Sequence, residues 1–343
     1  MKEIKLALIG FGTVGQGFAE ILERKHWELQ KKYGCDVKLV AISDPIKGSV
    51  FEENGINLNA LLKEVREKGN IFDYEGGEKG WDSMKTIKES NADVIIEVTP
   101  TNIETGEPGL SHIKTALETG KNVITTNKGP IALKGKELMK LAEEKGVKLK
   151  FEGTVMAGTP VINLIEKNLA GCKIHSIYGI VNGTTNFILT EMETGKTYEE
   201  ALKEAQRLGY AEADPTADVE GWDAVAKTVI LANMILDADI KVEDVEREGI
   251  TKITPKMIKE ALDEKKHWKL IASVKCENHK VTASVKPQKV PEWDTIAHIK
   301  GVTNALTIET DLLGKVTIVG PGAGREVTGY AVFIDLIDII QSS

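Results

Sequence analysis

The chain has 343 residues, a length typical of two domains of about 100–200 residues each. Its 41% hydrophobic residues are sufficient for sizeable cores, and its formal net charge of −8 argues against a nucleic-acid-binding surface. The three scattered cysteines form no CxxC pair, so we expect a reducing, cytoplasmic environment. No apolar run approaches the roughly 20 residues of a membrane span, which predicts that the protein does not enter a membrane.

Strands and helices alternate over the first part of the chain. Residues 4–9 are expected to form a buried strand, followed by a glycine turn and an amphipathic helix. Three more strands are expected in CDVKLVAISD, ADVIIEVTPTN and KNVITTNKGP, with a helix at about residues 111–119 between the last two. This alternation predicts an α/β fold with a Rossmann-like, doubly wound parallel sheet.

The pattern changes after about residue 135. Two short strands, in KIHSIYGIVNG and VTASVKP, are expected to be separated by long helical stretches, which predicts an α+β domain over residues 136–320. The end of the chain, KVTIVGPGAGREVTGYAVFIDLIDII, is again a strand, a glycine turn and a helix. We therefore expect residues 321–343 to return to the domain formed by residues 1–135.

The glycine turn after the first strand has the pattern G-x-G-x-x-G, formed by Gly10, Gly12 and Gly15. Glycines in this setting let backbone amides approach a pyrophosphate at the positive end of the helix, so we expect NAD or NADP to bind here. The expected contacts are Gly10, Phe11, Gly12, Thr13, Val14 and Gly15.

Asp44 ends the second strand, where a carboxylate is placed to accept hydrogen bonds from the adenosine ribose. This position favours NAD, although Lys47 nearby is placed to hold a 2′-phosphate, so NADP stays open. The alternative for Asp44 is a turn-forming role before Pro45.

The next two strands end in EVTPTN and TTNKGP. Because ligands gather at the carboxyl edge of such sheets, we expect Thr99 and Pro100 to lie near the cofactor. Lys128 follows the last of these strands and is placed to meet a phosphate, a carboxylate or a reacting oxygen. The alternative for Lys128 is an exposed lysine before a turn.

Residues 211–233, AEADPTADVEGWDAVAKTVILAN, place several carboxylates before an apolar helix. At 100° per residue, Asp223 and Lys227 share one face and are surrounded by apolar residues rather than by other charges. Burying two charges for structure alone is unfavourable, so we expect a polar site; the alternative is an ordinary surface ion pair. Carboxylates with one or two lysines suit a substrate that carries an ammonium and a carboxylate group. With a nicotinamide cofactor, this predicts hydride transfer to or from an amino acid.

The segment AQRLGYAEADPTADVEGWDAVAK is similar to the homoserine dehydrogenase signature, A-x3-G followed by D-P-x2-D-x2-G-x-D-x3-K. IVNGTTNFILTEM, FEGTVMAGTP, GKNVITTNKGP and GPGAG also resemble that family, in the same order, so the resemblance covers nearly the whole chain. The aspartokinase extension and the C-terminal ligand-sensing domain of some members have no counterpart, so we expect no threonine inhibition through a separate site.

The resemblance implies NAD(P)-dependent interconversion of L-homoserine and L-aspartate 4-semialdehyde, a step toward threonine and methionine. It implies that Lys227 is the acid–base residue and that Lys128 lies near both cofactor and substrate. The residues implied to hold the substrate are Glu212, Asp218, Asp223 and Lys128. Gly209 and Gly324 match backbone contacts to the cofactor. We also expect a homodimer, with residues 136–320 forming the substrate-binding and dimerisation domain.

The family also binds a monovalent cation, Na⁺ or K⁺, in the segment that FEGTVMAGT resembles. The implied ligands are Glu152, Val155, Ala157 and Thr159, the last three through backbone carbonyls. The alternative is a turn between domains with a capping glutamate.

Two rival functions stay open from the sequence. One is a related amino-acid-pathway oxidoreductase of the dihydrodipicolinate-reductase type, which shares the first domain. The other is a protein that senses NAD(P) without catalysis. The presence of Asp223, Lys227 and Lys128 together argues against the sensor.

Overall fold

The computed structural model describes residues 1–278 and 280–342. The described chain divides into two compact units: the first combines Met1–Gly158 with Gly324–Ser343, and the second comprises Thr159–Ala323. Each unit contains a β-sheet of its own. None of the described helices is long and apolar enough to cross a membrane.

The first unit contains a mostly parallel sheet, whose described strands have the order β4-β3-β2-β1-β5-β6-β7. The strands are β1 (Lys2–Ile9), β2 (Cys35–Asp44), β3 (Gly48–Phe51), β4 (Glu78–Lys79), β5 (Val94–Glu97), β6 (Asn122–Thr125) and β7 (Leu149–Lys150). The helices are α1 (Thr13–Tyr33), α2 (Leu58–Lys68), α3 (Ser83–Glu89), α4 (Gly109–Glu118), α5 (Lys128–Lys145) and a C-terminal helix (Arg325–Gln341). Strands β2, β1, β5, β6 and β7 pair in parallel, whereas β3 and β4 extend one side in antiparallel orientation.

The central strands of this sheet are buried over most of their length. In β1 the side chains of Leu6, Leu8 and Ile9 have no exposed surface, and every residue of β5 is buried. Continuous burial is typical of parallel strands with helices on both faces. The carboxyl ends of β1, β5 and β6 therefore meet at one edge, where ligands bind in open parallel sheets.

The C-terminal helix packs against α1 within the first unit. The guanidinium of Arg325 donates two hydrogen bonds to the carboxylate of Glu20, at 3.1 and 2.9 Å. Such a bidentate pair fixes both distance and orientation. Residues more than 300 positions apart in the sequence are thereby joined beside the glycine turn.

The second unit contains a largely antiparallel sheet, whose described strands have the order β13-β12-β8-β10-β11-β9. The strands are β8 (Ile174–Ile180), β9 (Glu246–Arg247), β10 (Lys266–Glu277), β11 (Lys280–Pro291), β12 (Thr303–Thr310) and β13 (Gly314–Pro321). The helices are α6 (Gly183–Met192), α7 (Tyr198–Arg207), α8 (Thr216–Val219), α9 (Trp222–Ile230) and α10 (Pro255–Asp263).

The predicted fold class is confirmed: a doubly wound α/β unit is accompanied by an α+β unit. Two expectations differ in detail. The long helical stretch expected before residue 280 is interrupted by β10, which pairs with β11 and β8. The boundary expected after residue 135 falls inside α5, and the chain stays in the first unit to Gly158 because β7 adds to the parallel sheet beside β6.

Candidate functional site

The glycine turn lies directly between β1 and α1. Gly10 has a φ of +98°, and a Cβ there would lie 2.8 Å from the carbonyl oxygen of Val98. A Cβ on Gly15 would lie 2.5 Å from the carbonyl oxygen of Gly10. Both positions therefore require glycine, the first for its backbone conformation and both for close backbone approach.

The start of α1 fits a phosphate group. Within the described chain, no side chain caps this helix at Gly12, so its first backbone amides are left for another acceptor. A Cβ on Gly12 would meet no atom within 4 Å, and both Gly12 and Thr13 are exposed. An open helix N-terminus of this kind is suited to a pyrophosphate.

Asp44 links the end of β2 to the glycine turn. Its Oδ2 accepts a hydrogen bond from the backbone amide of Phe11 at 2.7 Å. Its Oδ1 accepts from the amides of Ile46 and Lys47, both at 2.8 Å, so Asp44 also forms the turn expected as its alternative role. Lys47 Nζ donates to the carbonyl of Gly69 at 2.7 Å.

A cavity of about 390 Å³ opens beside Asp44 in the first unit. Two aromatic residues, Phe72 and Trp81, and a second carboxylate, Asp82, are among the residues that line it. The aromatic rings offer flat apolar surface, and the carboxylates offer hydrogen-bond acceptors. This combination suits a nucleoside whose ribose hydroxyls carry no phosphate.

A buried carboxylate holds the ends of β5 and β6 together. Glu97 has no exposed surface; its Oε1 accepts from the amide of Thr99 at 3.1 Å and from the Thr99 hydroxyl, and its Oε2 accepts from the hydroxyl of Thr125 at 3.1 Å. Asn127 Nδ2 donates to the carbonyls of Thr99 and Pro100 at 3.3 and 3.5 Å. Thr99 and Pro100 are thus fixed at the carboxyl edge of the sheet.

Lys128 is the first residue of α5 and is half-buried. Asn127 caps the helix, since its side-chain oxygen accepts from the amide of Gly129 at 3.3 Å. The position of Lys128 is therefore set by the same residue that anchors Thr99 and Pro100. This carboxyl-edge location agrees with the sequence expectation.

In the second unit, α9 carries Asp223 and Lys227 on one face. Lys227 is 7% exposed, and its Nζ donates to Asp223 Oδ2 at 2.7 Å and to the carbonyl of Val181 at 2.6 Å. Five residues of the helix around the pair are fully or almost fully buried: Ala224, Val225, Ala226, Val229 and Ile230. The pair is therefore a largely desolvated ion pair rather than an exposed surface pair.

Asp218, at the end of α8, completes this cluster through Asn182. The side-chain amide Nδ2 of Asn182 donates to Asp218 Oδ1 at 2.6 Å and to Asp223 Oδ2 at 2.9 Å. Burial raises the pKa of Asp218 above its ordinary value, and the negative charge of Asp223 raises it further, while the Asn182 hydrogen bond and the charge of Lys227 lower it. The site thus places two carboxylates beside one ammonium.

Two further predicted residues of the second unit, Glu212 and Gly209, lie between α7 and α8. The side chain of Glu212 is exposed, and its backbone carbonyl accepts from Gln206 Nε2 at 3.1 Å. Gly209 follows α7 with a φ of +76°. Gly324 belongs to the first unit, where it precedes the C-terminal helix with a φ of +131°. The roles of all three stay predictions.

The predicted cation turn has an uncommon backbone. Met156 and Ala157 are consecutive non-glycine residues with φ of +57° and +48°, and both are buried. Left-handed residues of this kind cost free energy and are concentrated at functional sites. Glu152, 1% exposed, precedes the turn in the first unit, whereas Thr159 begins the second unit and its hydroxyl donates to the carbonyl of Pro321 at 3.0 Å.

Comparison with known families covers almost the whole chain. Residues 10–152 match the model described as the NAD-binding domain of homoserine dehydrogenase. Residues 160–337 match the homoserine dehydrogenase model itself. The chain belongs to the homoserine dehydrogenase family. Its reaction is the NAD(P)-dependent interconversion of L-homoserine and L-aspartate 4-semialdehyde, as the sequence resemblance implied.

Homoserine dehydrogenases from distant organisms resemble the chain over their common length. The NAD(+)-dependent enzyme of Pseudomonas canavaninivorans is 44% identical over 100% of this chain and 98% of its own length, and that of Methanocaldococcus jannaschii is 43% identical over 98% and 99%. A solved hyperthermophilic archaeal homoserine dehydrogenase in complex with NADPH has a TM-score of 0.86 and 32% identity, covering 99% of this chain and 98% of that one.

Three contributors to these clusters were missed from the sequence: Asn182, the carbonyl of Val181, and Glu97. Asn182 lies 41 positions before Asp223, so no helical periodicity connects them. One signal was available, because an asparagine directly before a helix, as in VNGTTNF, is typical of an N-cap. For Glu97 the available signal was an acidic residue at the end of an otherwise apolar strand.

Proposed function

We propose that Lys227 is the acid–base residue of this homoserine dehydrogenase and that Asp223 orients it. The observation that carries the proposal is the buried Lys227 Nζ, held at 2.7 Å from Asp223 Oδ2 and at 2.6 Å from the Val181 carbonyl. A buried ion pair is weak evidence for stability alone, because desolvation offsets much of the attraction between the charges.

The reaction needs the substrate oxygen to lose or gain a proton as the carbon that bears it loses or gains a hydride. When bound, NAD(P) would supply the hydride-transfer chemistry at the carbon that bears that oxygen. Lys227 exchanges the proton with the oxygen, and the Asp223 carboxylate fixes the direction of the lysine side chain. The Val181 carbonyl limits the ammonium to one position.

Asp218, Asp223 and Glu212 are proposed to bind the substrate. Carboxylates of this kind pair with the ammonium group of homoserine and accept from its hydroxyl. The side chain of Glu212 is exposed, so it is accessible to a bound substrate. Lys128 is the second candidate for a proton-transfer or carboxylate-binding role.

The cofactor is proposed to bind the first unit through residues 10–15, Asp44, Thr99 and Pro100. We expect NAD to be preferred over NADP. The proposed contact of Asp44 with the ribose would bring its negative charge close to a 2′-phosphate, and the Lys47 ammonium is engaged by the Gly69 carbonyl. Relatives use either form, since the Pseudomonas enzyme is named NAD(+)-dependent and the archaeal structure contains NADPH.

A monovalent cation, Na⁺ or K⁺, is proposed to bind the turn that contains Glu152, Val155, Ala157 and Thr159. The support within the first unit is a buried acidic residue, Glu152, followed by two buried residues with left-handed backbone conformation, Met156 and Ala157. Oxygen donors of this kind suit a hard cation. Activity should then depend on the choice of Na⁺, K⁺ or a bulky ammonium salt in the buffer.

The protein is proposed to act as a cytoplasmic homodimer on a small-molecule substrate. Cys35, Cys172 and Cys276 are free thiols, which is consistent with a reducing compartment. In the second unit, a concave region of about 480 Å³ lies on the sheet, lined by residues of all six strands from β8 to β13. This sheet surface is the proposed dimer contact, and a molar mass of one chain by light scattering would contradict it.

Steady-state oxidation of homoserine by the pure protein tests the proposed function. We expect turnover with NAD and a lower kcat/KM with NADP. A dihydrodipicolinate-reductase-like enzyme would leave homoserine unchanged, and a sensor would bind NAD(P) without turnover of any substrate. Either result would overturn the proposal.

A further inference from the structure

Asn182 makes two sets of hydrogen bonds that serve different purposes. As the N-cap of α6, its Oδ1 accepts from the backbone amide and from the hydroxyl of Thr185, both at 2.9 Å. Its Nδ2 donates to Asp218 at 2.6 Å and to Asp223 at 2.9 Å. One side chain thus joins a helix terminus to both carboxylates of the substrate site.

The orientation of the Asn182 amide follows from its partners. The amide of Thr185 can only donate, so the Asn182 atom that faces it must be the oxygen. The two carboxylates, when ionised, can only accept, so the atom that faces them must be the nitrogen. Asn182 is 5% exposed and Thr185 is fully buried, so water is poorly placed to replace these hydrogen bonds.

The two carboxylates need such a bridge because they repel each other. The charged groups that act on Asp218 are Asp223 and Lys227, both on α9. From α6 the neighbouring groups are the neutral side chains of Asn182 and Thr184. Lys227 is bonded to Asp223 rather than to Asp218, so the hydrogen bonds that favour an ionised Asp218 come from Asn182, whose effect is the larger, and from Thr184.

We infer that Asn182 is a positioning residue for substrate binding: its amide holds Asp218 and Asp223 side by side, so that both carboxylates receive the substrate ammonium. The inference rests on the proposed function of Asp218 and Asp223. It adds Asn182, which caps α6 and does not lie on α8 or α9, and for which no contact with the reacting carbon or the cofactor is proposed.

The variant Asn182→Ser separates the two roles of the residue. Serine caps a helix about as well as asparagine, so α6 keeps its cap. A serine side chain is too short to bridge both carboxylates. We expect the KM for homoserine to rise about tenfold or more, the effect of losing a hydrogen bond to a charged group, while the KM for NAD is unchanged.

The pH profile supplies a readout that a purely structural role would not change. Without the Asn182 hydrogen bond the pKa of Asp218 rises further, so the acid limb of kcat/KM for homoserine should move to higher pH. Asn182→Asp also keeps the cap but adds a third negative charge, and we expect it to impair homoserine binding more than Asn182→Ser does.

Thr254→Ala is the matched control. Thr254 caps α10 in the same unit by accepting from the Met257 amide at 3.2 Å, so its loss should lower Tm without a change in the KM for homoserine or in the pH profile. Unchanged kinetics and pH profile in Asn182→Ser, whatever its Tm, would overturn the inference, as would wild-type binding in Asn182→Asp. The proposed substrate-binding role of Asp218 and Asp223 fails on a different result, namely unchanged homoserine binding in Asp223→Asn.

Discussion

Replacing Asp44 by asparagine tests the adenosine end of the cofactor site. Asparagine has one acceptor oxygen, which can still accept from the amides of Ile46 and Lys47. Its other terminal atom is a nitrogen that cannot accept from the amide of Phe11, now bonded to Asp44 Oδ2 at 2.7 Å. Asp44→Asn therefore removes the negative charge and also loosens the link between β2 and the glycine turn.

The lost hydrogen bond to Phe11 and the lost negative charge each have an effect that can be measured. Phe11 is fully buried, so its unpaired amide should cost about 1–3 kcal/mol of unfolding free energy. At about 2–4 °C per kcal/mol in a domain of 150–250 residues, Tm falls by several degrees. Loss of ribose hydrogen bonds to a charged acceptor should raise the NADP-to-NAD ratio of kcat/KM by about 10- to 100-fold, with lower absolute values for NAD.

The assay is steady-state homoserine oxidation with each cofactor, combined with thermal unfolding. Asp36→Asn is the control, because Asp36 lies at the amino end of the same strand and accepts from Gln30 Nε2. It should leave the cofactor ratio unchanged. If the ratio is also unchanged in Asp44→Asn, Asp44 does not touch the ribose, and the assignment of the adenosine site is wrong.

Three further predictions concern buried groups and the glycine turn. Burial lowers the pKa of the fully buried Lys269 from 10.5 to about 8. Between these pH values the unfolded chain binds more protons than the folded one, so the free energy of unfolding should rise with pH. Denaturant unfolding of Lys269→Met from pH 7 to 10.5 should lack this rise, and the same pH dependence in both proteins would contradict the prediction. Glu97→Gln should lower Tm and raise the KM for NAD, because the Thr99 amide and hydroxyl lose a charged acceptor; an unchanged KM for NAD would show that Thr99 does not contact the cofactor. Gly10→Ala should abolish NAD binding measured by calorimetry, since its Cβ would lie 2.8 Å from the Val98 carbonyl, and wild-type affinity would exclude the turn as the pyrophosphate site.

Local regularities in the sequence predicted part of the fold and of the site. A strand, a glycine turn and a helix in succession located β1 and α1, and helical periodicity placed Asp223 and Lys227 on one buried face. These features depend on neighbours within a few residues. The strand that ends at Asp44 was predicted for the same reason.

Long-range pairing could not be predicted in this way. β10 contains the fully buried Lys269, which interrupts the apolar pattern; its Nζ is bonded to Asn186 Oδ1 at 3.1 Å and to the Ile299 carbonyl, 83 and 30 positions away. The Asn182 bridge likewise joins residues from three helices. Hydrogen bonds between distant segments satisfy buried polar groups that look misplaced in the sequence alone.

The kcat of Lys227→Ala, with NAD(P) and homoserine both saturating, tests the central claim most directly. We expect kcat to fall by about 10²–10⁴-fold, the usual contribution of a positioned proton-transfer group, while NAD(P) affinity stays close to that of the wild type. Asp223→Asn, which retains the shape and removes the charge, should lower kcat and weaken homoserine binding. Turnover of Lys227→Ala near the wild-type rate would contradict the account and leave Lys128 as the candidate acid–base residue.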